Sequence, residues 1–144
     1  MKIIALLFLS LFMGKGCSKE DHKDLTNTNI VYTANTRGFY QKITIQNHNI
    51  SISNNRNDEG SGKTTEISDE NWKELVMLFN KIDLEKLSTY EGPTQKRFYD
   101  GAPNANMIIT FKEKEYNSAT FDHGNPPIQI EGFVKKVILL AIQE

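Results

Sequence analysis

The chain has 144 residues, with 17 Lys and Arg against 18 Asp and Glu, a formal charge of −1 and a single cysteine. That balance leaves no clustered positive charge for nucleic acid, whose phosphates are met by patches of Lys and Arg. One cysteine excludes an internal disulfide, and the length suits one hydrophobic core rather than two.

The first element is an N-terminal address. Lys2 precedes an apolar run of 11 residues, Ile3–Met13, in which Ser10 is the only polar member. At ~1.5 Å per residue this run is too short to cross a hydrocarbon core of ~30 Å, and it has the length of a signal-peptide h-region. Gly14, Lys15 and Gly16 lead to Cys17. The Gly16-Cys17 step resembles the lipobox of bacterial lipoproteins, in which a small residue precedes the modified cysteine; Lys15 departs from that pattern. Ser18-Lys19-Glu20-Asp21 is similar to the acidic signal that follows the cysteine in some Gram-negative surface lipoproteins. The resemblance implies cleavage after residue 16 and several acyl chains on Cys17. It also implies an outer-membrane location, at the cell surface or otherwise facing the periplasm. More than one acyl chain is what stable anchoring requires.

Cleavage would remove Lys2 and Lys15, leaving 15 basic and 18 acidic side chains. Residues 17–29 are polar and aperiodic, so they read as a lipidated N-terminus and flexible tether. A single domain is expected over residues 30–144, about 115 residues without a thiol. It therefore has no thiol nucleophile and no cysteine metal site.

The domain opens with strand chemistry. A strand over Ile30–Asn35 is expected to turn through Arg37-Gly38 into a second one carrying Phe39, Ile43 and Ile45 on alternate positions. Asn47-His48 makes a two-residue turn, because asparagine tolerates the positive φ such turns need. Ile45 then faces Ile50 and Ile43 faces Ile52, all on one side of the hairpin. The polar segment from Ser53 to Glu66 ends in Gly62-Lys63-Thr64, a fragment of a phosphate-binding loop. Asn57 stands where that motif needs glycine, and Thr64-Thr65-Glu66-Ile67 favours extended chain over a helix. A hairpin tip is the better reading.

Ser68 can cap a helix whose first turn carries Asp69 and Glu70, suited to the positive end of the dipole. Trp72, Leu75, Val76 and Phe79 form its buried stripe, and Ile82, Leu84 and Leu87 continue the core. Gly92-Pro93 ends this segment. Strands are expected at Met107–Lys112 and Glu115–Phe121, joined by Glu113-Lys114. Asn125-Pro126-Pro127 precedes a second helix over about 128–143, burying Phe133, Val134, Val137, Ile138, Ala141 and Ile142, with Glu131, Lys135 and Lys136 outside. Strands, helix, two strands, helix points to an α+β fold: an antiparallel sheet of about five to six strands with two helices on one face.

Gly92–Asn106 is a long connection for so small a domain, and such connections are usually functional or mobile. It carries Lys96, Arg97, Phe98, Tyr99 and Asp100. The expected pairing places Ala105 opposite Asp122, so the loop and Asp122-His123 share one rim. We take Arg97, Tyr99, Asp100, Asp122 and His123 as the candidate binding rim. Each has a structural alternative: Asp100-Gly101 suits a turn, Asp122 can serve backbone donors, and Arg97 can pair with Asp100 or Asp122. An unperturbed histidine titrates near neutrality, which makes His123 the acid–base candidate. No ligand spacing suggests a metal, no nucleophile elbow is present, and no cofactor is implied.

These features favour a membrane-anchored, non-enzymatic domain that binds a protein, peptide or glycan. A small hydrolase-type enzyme using Asp100, Asp122 and His123 is one alternative. An inhibitor or immunity-type protein acting on an exported enzyme through the exposed loop is another.

Overall fold

Two tight turns fix the register of half the sheet. The structure, a computed structural model, describes residues 22–58 and 62–143. The expected signal peptide and the acylated Cys17 lie outside the described residues. Strand β1 (Asn29–Thr36) turns into β2 (Phe39–Gln46), and β2 into β3 (Asn49–Ser53). Asn47 and His48 carry φ of 50° and 63°, the left-handed pair of a type I′ turn. Ile45 pairs with Ile50 and Ile43 with Ile52, as expected. Strand β4 (Lys63–Glu66) adds to β3 and forms one edge, where the sequence suggested extended chain.

Helix α1 (Asp69–Asn80) starts at Ser68, whose hydroxyl accepts from the Asn71 N–H at 3.3 Å. Trp72, Leu75 and Phe79 are buried, and His48 stacks on Trp72 with ring centroids 3.9 Å apart. A 3-10 turn, Leu84–Thr89, buries Leu84 and Leu87. The chain returns as β5 (Asn104–Phe111), β6 (Lys114–Asn117) and the two-residue β7 (Phe121–Asp122), then closes with α2 (Glu131–Ile142). The sheet is antiparallel throughout, in the order β4-β3-β2-β1-β5-β6, with β7 also paired to β5.

Alternation divides the sheet into two unlike faces. Ile30, Tyr32, Ala34, Ile43, Ile45, Ile50, Ala105, Met107 and Ile109 point to one side and form one core with both helices. Phe79 links the layers, with ring centroids 5.9 Å from Phe111 on β5 and 5.7 Å from Phe133 on α2. On the other side, one row crosses six strands as Asn117, Ile108, Val31, Thr44, Ser51 and Thr64. No described element covers the middle of that row. The fold is the expected α+β arrangement.

Four details differ from the sequence reading. The β5–β6 turn is Lys112-Glu113, with φ of 48° and 65°, so Phe111 pairs with Lys114. The chain enters β7 through an extra residue: Ser118 accepts from the Met107 N–H through its hydroxyl, and Phe121 then pairs with Ala105. This is a bulge: the displaced turn alone would set Asp122 opposite Pro103, and the extra residue returns it to Asn104, one short of the expected Ala105. In α2, Lys136 is buried because its ammonium reaches Asn71 and Glu74 on α1, while Ile142 is 71% exposed.

The fourth difference is at the N-terminus. Leu25 is fully buried, and the Lys23 N–H and carbonyl both bond the Asn80 side chain. The folded unit thus begins before Ile30, and the expected tether is shortened by this docking. Among the described residues no helix is long and apolar enough to cross a membrane.

The left-handed Lys112-Glu113 turn is strained for L side chains. Lys112→Asn with Glu113→Gly should relieve it, raising stability by about 1 kcal/mol and the melting temperature by about 4 °C. A lower melting temperature would contradict this turn position.

Candidate functional site

The bulge at Ser118 brings β7 to the loop, and the loop closes on Asp122. This carboxylate has no solvent exposure. It accepts from Thr94 Oγ1 at 2.6 Å, the Lys96 N–H at 2.7 Å, the Arg97 N–H at 3.0 Å and Arg97 Nη1 at 3.1 Å. Residues Lys96–Tyr99 form a 3-10 turn whose own N-cap, Gln95, makes no side-chain capping bond. The unpaired N–H groups that any helix start presents are instead satisfied from a strand 25 or 26 residues away. At the other end Asp100 adopts φ 58°, and the Gly101 N–H bonds the Lys96 carbonyl at 2.8 Å.

Burial pushes the Asp122 carboxyl up, but the donors from Thr94, Arg97 and Lys96 outweigh it and hold the group at about 2. Arg97 is committed as well. Its side chain is 12% exposed, and Nη1 also donates to the Thr94 carbonyl at 3.0 Å. Its guanidinium lies over the Phe98 ring, 4.4 Å from the centroid.

His123 turns the other way. Its Nδ1 lies 2.7 Å from Tyr32 Oη, and its ring centroid is 5.4 Å from that of Phe39. Burial raises the Tyr32 phenol well above the ordinary range, so the phenol stays protonated. The direction of this bond follows the imidazole tautomer, and burial lowers the imidazole's pKa. Gly124, at φ 88°, allows the reversal that follows.

The structure therefore brings Arg97 and Asp122 together and separates both from the His123 imidazole, which bonds Tyr32. Asp100 is exposed, caps the turn and makes no side-chain hydrogen bond. Tyr99 is 72% exposed and Phe98 73% exposed, side by side on the clamped turn. Beside them, a cleft of about 280 Å³ opens between Gln95, Phe98 and Ala119-Thr120. Arg97 lies beneath this surface, paired with Asp122, which is the structural alternative the sequence offered for it. Phe98 is a large exposed aromatic that the candidate rim left out, although such a residue in a polar loop is itself a signal. Tyr32 was also passed over; a buried phenol needs a hydrogen-bond partner, and here it is His123.

Among the described residues no group of three or more His, Cys, Asp or Glu is placed to hold a metal ion. No family model, curated protein or solved structure matches this chain.

Asp122→Asn retains the shape of the side chain but breaks a buried ion pair, and should cost about 3 kcal/mol. The sign of the pH effect follows from the depressed carboxyl: folded near 2, against an ordinary 3.8. Its contribution is present above about pH 4 and is lost as pH falls through 2. Acid unfolding of the wild type should be steeper over this window than that of Asp122→Asn. Parallel acid profiles would refute the clamp.

Proposed function

We propose that this protein is an exported lipoprotein, held at the outer membrane by acyl chains on Cys17. Its folded part is a non-enzymatic binding domain that captures a protein partner on the surface carried by Phe98 and Tyr99. The observation supporting this most directly is the combination of exposure and support. Two large aromatic side chains stand about three-quarters exposed on a turn whose backbone donors are pinned to a buried carboxylate.

Aromatic residues with few rotatable bonds carry much of the energy in protein interfaces. A turn already fixed before binding spares the cost of ordering it afterwards. Spending a fully buried carboxylate to hold an exposed turn is a cost with no return to the core itself. A hydrolase at this rim receives less support, because Asp122 accepts four bonds from the loop and none from His123. An inhibitor of an exported enzyme would use the same aromatic turn.

Capture of partners from solubilised membranes tests the surface. Phe98→Ala and Tyr99→Ala should each weaken capture by more than tenfold, consistent with about 2 kcal/mol per anchor, and leave the melting temperature nearly unchanged. Unaltered capture by both variants would remove this surface from consideration. Anchoring is checked separately by metabolic labelling with a fatty-acid probe. Wild type should be labelled and Cys17→Ser should not; equal labelling would refute the lipoprotein reading.

A further inference from the structure

The open face of the sheet has a chemistry of its own. Outward-facing positions of the paired strands are mostly Asn, Gln, Ser and Thr; the charged ones are Lys42, Glu66 and Glu115. Over β2, β3 and β4 this face is not flat. A depression of about 270 Å³ is lined by Thr44, Gln46, Asn49, Ser51 and Thr64. A second, smaller one shares Thr44 and Ser51 with it and extends to Ser53, between the opposite charges of Lys42 and Asp58. A third, of about 350 Å³, lies past Tyr40 between Arg37, Arg56 and Asn54–Asn57, and shares no lining residue with the other two.

The first two form one trough along β2 from Gln46 to Lys42, a distance of about 13 Å at ~3.3 Å per residue. Gly62 permits the outer wall. A Cβ there would lie 2.4 Å from the Ile52 carbonyl oxygen, so any other residue would push this segment off β3. The side chains of Thr44, Gln46 and Ser51 make no hydrogen bond within the protein, leaving donors and acceptors directed at the trough. Val31 and Ile108 continue the row of Thr44 as a short apolar strip.

From this geometry we propose that the trough binds an uncharged oligosaccharide chain. Its lining offers groups that both donate and accept, as sugar hydroxyls do, and the apolar strip can take the C–H face of a pyranose ring. A protein partner would require an apolar, aromatic-rich centre, which this face lacks. A polyanion would require clustered free cations, whereas Lys42 shares its depression with Asp58, and Arg56 beside the third is spent on the Thr36 and Phe39 carbonyls. The site lies on the β2–β4 half of the sheet and is separate from the Phe98–Tyr99 turn beside β7, so either can fail without the other.

The test is titration of the full chain with linear, uncharged glucose, mannose and N-acetylglucosamine oligosaccharides of increasing length. At least one series should bind, with affinity rising with length until the trough is filled. Ser51→Arg and Thr64→Arg, both on the solvent side of the sheet, should each weaken that binding at least tenfold without lowering the melting temperature. Phe98→Ala should leave it unchanged. The proposal is overturned if no uncharged chain binds at millimolar concentration, if both arginine variants bind as well as wild type, or if only sulfated or uronic chains bind.

Discussion

A single buried carboxylate organises the upper end of this protein. Asp122 has no exposure to water, and a lone carboxylate could not remain ionised in that position. It stays charged because Thr94, Lys96 and Arg97 surround it with donors, and those donors are ordered because Asp122 is there. The dependence is mutual, which makes the clamp cooperative. Without it the start of the 3-10 turn has no cap, Arg97 has no partner, and Phe98 and Tyr99 have no fixed base. The neighbouring His123 ties the same corner to the sheet through Tyr32.

Most of the fold was legible because its signals are local. The Asn47-His48 turn, the alternation around it, the serine cap and the stripe of α1 each involve residues near one another in the chain. What escaped was non-local or ambiguous. Lys112-Glu113 and Glu113-Lys114 are equally poor turn pairs, and both leave Ile109 and Phe111 on the core side, so neither composition nor alternation could choose between them. The Ser118 bulge depends on a side chain replacing a backbone acceptor, which no alternation pattern records. Lys136 reads as a solvent residue on its own helix and becomes buried only because Asn71 and Glu74 approach from another. Leu25 stood alone in a polar stretch, with no period to mark it.

The candidate rim divides into residues that support a surface and residues that stand exposed on it. Sequence reasoning brought the loop and Asp122 to one end of the sheet, and the structure does so. It could not tell which members face solvent. Arg97 and Asp122 consume each other and underlie the surface, while the two aromatics between Arg97 and Asp100 form its face. The distinction is one of satisfied valence. A charged group whose hydrogen bonds are all internal has little left to offer a partner, whereas an exposed ring on a fixed support keeps its whole contact area.

The docking of Lys23 against Asn80 bears on how the domain would hang from a membrane. With acyl chains on Cys17, only Ser18–His22 would remain as leash, at most about 20 Å when fully drawn out. That is shorter than the breadth of a domain of this size, about 30 Å. So tethered, the domain would not tumble freely, and one pole would be held toward the lipid. The leash leaves from the end of the sheet where Phe79 meets Phe111, while Asp122 pairs with Asn104 at the other end of β5. The clamped aromatic turn would be carried as a headpiece, lifted clear of the bilayer by the length of the strands and presented outward to whatever passes.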